Sequence, residues 1–388
     1  MPEQITRPQQ TSLPKDFFPK NLGDQPPKAV PSALSNDLSL DEILIYARHY
    51  QASDVHLCFA KPIIFRKFGE IETVTNTPLT PEEIKKIISA SVAKEILDEF
   101  EHWGDKEFVH EIPGHGRFRV TLMKQRFGWD LTARVIDLTI RPFETSGMSQ
   151  SCANLTCWAQ GLILVTGPAG CGKTSTLSTL VELINQTRED HIITIENPIE
   201  IVYTPKSCQV TQRQIGLHTL SQGNALRASL REDPDIIVVS ELRDLASIQL
   251  AVTAAETGHL VLGTMNTNDA VQTISTLIDS FPPEEKAIIT SMISESLRGV
   301  ISQRLVPKKD KSGLVPAFEV LILNAAAANL IRGDKIKQLN NVMATGKADG
   351  MVLLDHSLKR LIDTGEIDGY EAYKRAINPM EFKQYANR

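Results

Sequence analysis

At 388 residues the chain is long enough for two domains that each bury a core. Its 41 basic and 47 acidic side chains leave a net charge of −6, so no overall positive field draws it to nucleic acid. No apolar run reaches the roughly 18 residues that a membrane span needs, and the N-terminus lacks a signal-peptide core. The five cysteines (Cys58, Cys152, Cys157, Cys171 and Cys208) form no CxxC pair; they read as reduced intracellular thiols and argue against a zinc site. The expectation is a cytoplasmic protein that meets a membrane only through partners.

Residues 1–36 hold seven prolines and little periodicity, the composition of a disordered or extended leader. Ser39 can then cap a helix over 41–49 that buries Ile43, Leu44, Tyr46 and Ala47. Short strands at 54–59 and 63–68, a helix from Pro81 to about Phe100, and strands at 108–111, 117–124 and 130–136 follow. They make an α+β domain over 37–145, and a serine- and glycine-bearing linker at 146–152 leads to a second domain over 153–388. There, apolar runs at 162–166, 191–195, 235–239 and 260–264 alternate with helical periodicity, the pattern of a parallel α/β sheet. Beyond Pro282-Pro283 the chain reads mostly as helix, with one strand-like interlude at 315–323 and an alanine-rich helix start at 325–328.

The strongest chemical signal lies between the first of those strands and its helix. Gly167-Pro168-Ala169-Gly170-Cys171-Gly172-Lys173-Thr174 fits G-x-x-x-x-G-K-[ST] without a mismatch, with Ser175 just inside the helix. A strand, a glycine turn and a helix N-terminus aim backbone N–H groups at a polyphosphate, which makes ATP the expected ligand. Lys173 is the residue to reach the β/γ-phosphates, and Thr174 the one to place a hydroxyl on Mg²⁺. Cys171 reads as a small filler. A thiol at a helix N-terminus is also of the type whose pKa falls, which makes oxidation sensitivity a second expectation.

Three further stretches carry candidate chemistry. The β-branched run 236–239 ends at Ser240-Glu241, where a P-loop ATPase places its Walker B acid; Glu241 is the candidate to polarise the attacking water and to assist Mg²⁺. His191-Ile-Ile-Thr-Ile-Glu196-Asn197-Pro198-Ile199-Glu200 delivers two carboxylates to a strand's C-terminal end, Glu196 suited to act on the water and Glu200 to anchor it. His259, at the entry to the last core strand, suits either a γ-phosphate sensor or a structural role.

Taken together in this order, these stretches resemble the secretion-superfamily ATPases, above all the PilT family of twitching-motility retraction motors of type IV pili. The likeness covers about residues 38–378 and includes Tyr46–Leu57, Arg227–Asp235, Phe281–Lys286, Ser294–Leu297 and Ile301–Leu305. It implies a small PAS-like α+β domain followed by a RecA-like ATPase domain with a helical C-terminal portion. It also implies an Asp box at 191–200, a Walker B box at 232–244 and a His box at 253–269. The resemblance further implies a homohexamer, nucleotide held between the two domains, and an inner-membrane platform protein as partner. By position, Arg119, Arg126 and Arg134 correspond to the family's phosphate-reaching arginines. The chain departs from the family pattern at Asn197, Ser240 and Asn266, which stand where aspartate, glycine and a second histidine are usual. A retraction-linked helix motif survives only as Ala326–Arg332. The function implied is an ATP-hydrolysing motor for pilus retraction. The alternatives are an ATPase of a type IVB or other secretion system, or a weakly hydrolysing adaptor paralogue. The acidic balance, without interleaved basic and aromatic segments, disfavours a nucleic-acid motor.

Overall fold

A computed structural model describes residues 34–386 apart from residues 36 and 138, so nearly all of the leader read at 1–36 lies outside the described residues. Contacts divide the chain into two compact units, Met1–Ile136 and Asp137–Arg388.

The first unit runs α1 (Leu40–His49), β1 (Asp54–Leu57), β2 (Ile64–Lys67), β3 (Glu70–Thr73), α2 (Pro81–Ser91), α3 (Lys94–Trp103), β4 (Asp105–Ile112), β5 (Gly116–Gln125) and β6 (Gly128–Val135). Ser39 closes a capping box with Glu42, and α1 buries Ile43, Leu44 and Ala47 as its periodicity requires, together with Leu40 and Ile45. Tyr46 is only half-buried. The six strands form an antiparallel sheet in the order β3-β2-β1-β6-β5-β4. The single helix expected over 81–100 is two. Val92 adopts extended backbone and turns its side chain into the core, and the chain re-enters helix at Lys94.

The second unit contains α4 (Gln150–Leu155), β7 (Gly161–Thr166), α5 (Lys173–Thr187), β8 (His191–Glu196), β9 (Gln209–Gln214), α6 (Gln222–Ser229), β10 (Ile236–Val239), α7 (Leu245–Glu256) and β11 (Leu260–Met265). It continues with α8 (Ala270–Asp279), α9 (Lys286–Ser296), β12 (Leu297–Pro307), β13 (Leu314–Ile322), α10 (Ala325–Arg332), α11 (Leu339–Thr345), α12 (Leu354–Asp363) and α13 (Gly369–Arg375). Residues 137–145 pack with this unit: Ile140 and Phe143 lie against its core, and Thr179 Oγ1 donates to the Arg141 carbonyl at 3.0 Å.

Its seven strands run β13-β12-β7-β11-β10-β8-β9, parallel throughout except for the β12–β13 pair. Alternate side chains feed two cores. Leu162, Leu164, Ile193, Ile195 and Val239 enter one, and Ile163, Val165, Ile192, Ile236 and Val238 the other. Both faces of the sheet are therefore covered, which is why these strands read as unbroken apolar runs. The sequence expectation of mostly helix after Pro282 is corrected by β12, eleven residues that follow α9 with no intervening turn. Gly299 lets this strand lie close to Leu155 and to the carbonyl of Leu321, where a Cβ has no room.

Candidate active site

Parallel strands β7, β11, β10 and β8 all end at one edge of the sheet, and the loops leaving that edge carry most of the candidate residues. Gly167 leaves β7 at φ 145° with Cys171 Sγ and Gln303 packed where a Cβ would stand, and Gly172 turns into α5 at φ 89°. Each position requires glycine. As the N-cap of α5, Gly172 contributes no side chain, so the first-turn amides of this 15-residue helix face outward for an anion. Thr174 and Ser175 are exposed in that first turn.

The loop is braced from behind by Gln303 on β12. Its Nε2 donates to the Cys171 carbonyl at 2.7 Å, and its Oε1 accepts from Thr176 Oγ1. Beyond the outer turn Pro168–Cys171 lies a cavity of about 410 Å³ walled by Arg304, Leu305, Lys374 and Arg375. Cys171 itself is buried, and burial pushes its thiol up, against a smaller lowering effect of Lys173. That corrects the expectation of a lowered pKa at a helix N-terminus: loss of water at this thiol outweighs the favourable charge.

Lys173 Nζ folds back on its own loop, donating to the carbonyls of Gly167 at 2.8 Å and Pro168 at 3.0 Å. Its third bond, at 2.7 Å, goes to Asn266 Oδ1 at the end of β11. Asn266 Nδ2 in turn donates to Glu241 Oε1, and the other oxygen of Glu241 lies 2.5 Å from Arg243. One strand further along the edge, Glu196 Oε1 accepts from Thr194 Oγ1 at 2.6 Å and Gln212 Nε2 at 2.9 Å.

The structure thus brings Lys173, Asn266 and Glu241 together, with Glu196 on the same edge. It does not bring His259 to them. His259 precedes β11, whose first residue pairs with Gly161 and whose last pairs with Thr166. It therefore stands at the opposite end of the sheet from the phosphate loop, about 20 Å away at strand rise, with Nδ1 3.1 Å from the Ala254 carbonyl. Arg119, Arg126 and Arg134 belong to the first unit. Arg119 and Arg134 face each other across β5 and β6; Arg119 pairs with Glu107, and Arg134 Nε donates to Asp54 at 2.9 Å. Arg126 sits at the β5–β6 turn with its guanidinium 5.2 Å from the Phe127 ring centroid.

Two contributors escape sequence reasoning. Gln303 enters the sequence reading only within Ile301–Leu305, a stretch that carries the resemblance, with no role assigned to it. Glu319, buried on β13, accepts from the Ala270 N–H at 2.8 Å at the start of α8, directly after the segment that carries Asn266. Its second oxygen is without a hydrogen-bond partner, and burial raises its carboxyl to about 7, with Asp269 acting in the same direction. Among the described residues no three carboxylate, thiol or imidazole groups converge as a metal site, and no helix is long and apolar enough to cross a membrane. An exposed hydroxyl at Thr174 and carboxylates at the same edge are hard oxygen donors. They suit a cation held by one or two protein groups together with phosphate oxygens.

The type II/IV secretion system protein family matches residues 33–377. The type IV pilus retraction ATPase PilT of Pseudomonas aeruginosa is 41% identical over 345 residues, spanning 89% of this chain and all of the relative. A twitching motility protein of Neisseria gonorrhoeae is 39% identical over 327 residues, 84% of this chain and 87% of its own length. Among solved structures, the pilus retraction motor PilT with bound ADP superposes with a TM-score of 0.79 at 38% identity, over 90% of this chain and all of that one. With a small α+β unit, a RecA-like sheet and an intact phosphate loop at its edge, the chain belongs to the type II/IV secretion system protein family, among the PilT-type ATPases.

Proposed function

We propose that this chain is an ATP-hydrolysing motor subunit that powers retraction of a type IV pilus, as the names of its relatives suggest. What carries the reading is likeness to PilT over 89% of the chain together with a complete, braced phosphate loop. The loop amides and Lys173 hold the β- and γ-phosphates. Mg²⁺, when bound, neutralises charge on those phosphates, with Thr174 its protein ligand and Glu241 a further oxygen donor. Glu241 orients and polarises the attacking water, and Glu196 supports it from the neighbouring strand. The cationic wall of Arg304, Lys374 and Arg375 favours an anionic ligand at the loop's outer side. His259 is better suited to a structural role at the far end of the sheet.

The assembly we infer is a homohexamer on the cytoplasmic side of the inner membrane that works on a membrane-embedded platform protein. Arg119, Arg126 and Arg134 are assigned, by position alone, as contacts to nucleotide phosphate. The test is steady-state ATP turnover by the size-separated oligomer beside its Glu241→Gln variant. The variant is expected to lose turnover about a hundredfold or more while keeping its affinity for ADP. Equal turnover in the two proteins overturns the assignment of Glu241. A deletion strain with normal pilus retraction overturns the cellular role.

A further inference from the structure

Strand order makes one residue a junction. Because β11 lies between β7 and β10, whatever leaves its C-terminal end stands between the phosphate loop and the acid that follows β10. Two strand spacings, about 9.6 Å, separate β7 from β10, and a residue leaving β11 enters the space between the lysine on the loop side and the glutamate on the other. Asn266 occupies that place. Its Oδ1 accepts from Lys173 at 2.7 Å and its Nδ2 donates to Glu241. A primary amide is suited to this because it presents an acceptor and a donor on one planar group, whatever the pH. A carboxylate there would keep the lysine and repel Glu241. An imidazole could reproduce both bonds only when neutral, since its protonated form has two donors and no acceptor.

We propose that Asn266 is a positioning residue for hydrolysis, an amide bridge that ties the placement of Glu241 to the state of Lys173. The proposal rests on the ATPase reading of this site. Lys173 lies on the carbonyls of Gly167 and Pro168 and on the amide, and the amide holds Glu241 beside Arg243. Phosphate oxygens compete for the same ammonium, being charged acceptors against neutral ones. When Lys173 turns to them, the Asn266 side chain loses its partner on one side and can swing with Glu241 still attached on the other. The carboxylate thereby takes its working position only when the loop is loaded.

The experiment measures ATP turnover against pH, together with ADP affinity, for the full-length parent, Asn266→Asp and Asn266→His. Asn266→Asp is expected to lower kcat about ten- to a hundredfold with KM for ATP changed by less than about threefold. Asn266→His should retain turnover above pH 7 and lose it through a new acidic limb near about pH 6.5 that the parent lacks. ADP affinity at the parental value shows that each variant is folded, and should Asn266→Asp fail to fold, the pH profile of Asn266→His decides alone. Parental kcat in Asn266→Asp, or a parental pH profile in Asn266→His, overturns the bridge. A parent with no turnover sinks both the bridge and the ATPase reading, whereas an active parent with unaffected variants sinks the bridge only.

Discussion

Gln303 makes two hydrogen bonds from a buried position, one to the Cys171 carbonyl and one from the Thr176 hydroxyl, and among the described residues it is the side chain that grips the phosphate loop from the sheet side. Gln303→Leu removes both bonds and strands a carbonyl and a hydroxyl in the core, a cost of about 1–3 kcal/mol. A lower melting temperature and weaker ADP binding in that variant are the expected outcomes, measured by thermal unfolding and titration. Cys171 leads to a different expectation. Its thiol is buried and raised in pKa while Cys157 is exposed, so iodoacetamide should label Cys157 and leave Cys171 unmodified until the protein unfolds. Peptide mapping of the alkylated protein reads this directly; early labelling of Cys171 would contradict it. At this scale the sequence singles out the loop, Lys173 and Glu241 as candidates, because each sits in a motif whose spacing is local. It could not reveal what Asn266 touches, since that depends on strand order rather than on neighbours in the chain. The two roles open to His259 could not be separated for the same reason: a residue before a strand lies at one end of the sheet and a residue after it at the other.

Elements were legible where they carry punctuation. Ser39 marks α1 with its capping box, and Pro81 in its first turn marks α2. Where punctuation is missing, boundaries were missed: α9 passes into β12 within one residue, and Val92 interrupts a helical pattern that its neighbours would otherwise continue. The junction between β13 and α8 has its own energetics. Glu319 is held near pKa 7 by burial, above the value of an exposed glutamate near 4.5, so its ionised form is disfavoured in the folded protein. Its contribution to stability is full below about pH 4.5 and is lost as pH rises through about 7, by at most about 3 kcal/mol. Glu319→Gln keeps an acceptor for the Ala270 N–H and cannot ionise. Its stability relative to the parent should therefore increase between pH 5 and pH 8, by denaturant unfolding at each pH. A difference that stays constant with pH would show that the carboxyl does not titrate in this range.

The molecule as a whole consists of two units with separate cores, and its ligand chemistry is concentrated in one of them. Ligand that binds only the folded form raises stability by mass action, about 2.7 kcal/mol at a hundredfold excess over Kd. ADP should accordingly shift the unfolding of residues 137–388, and Lys173→Ala should abolish most of that shift while leaving the protein folded. Hydrogen exchange followed unit by unit checks both statements. The sequence expectation drew its boundary at a linker over 146–152, from the change of pattern between antiparallel-type strands and buried apolar runs, because each pattern reflects how many faces of a sheet are covered. Contacts place the change of unit at Ile136, with residues 137–145 packing onto the second core through Ile140 and Phe143.

The brace on the phosphate loop has a temporal consequence. Gln303 follows Cys171 by 132 residues, and β12 supplies one hydrogen-bonding flank of β7. While the ribosome is still making α8 and α9, the nascent chain already possesses its phosphate loop. It has neither the amide that holds the loop nor the strand that shields the adjacent backbone. During that interval one edge of β7 is open to any passing strand. Premature termination between the phosphate loop and residue 297 would release the same species permanently, an apolar sheet edge beside an unsupported loop. The last quarter of the chain is thus what turns a phosphate-loop sequence into a phosphate site, and truncated products should need chaperones or proteases to be kept from aggregating.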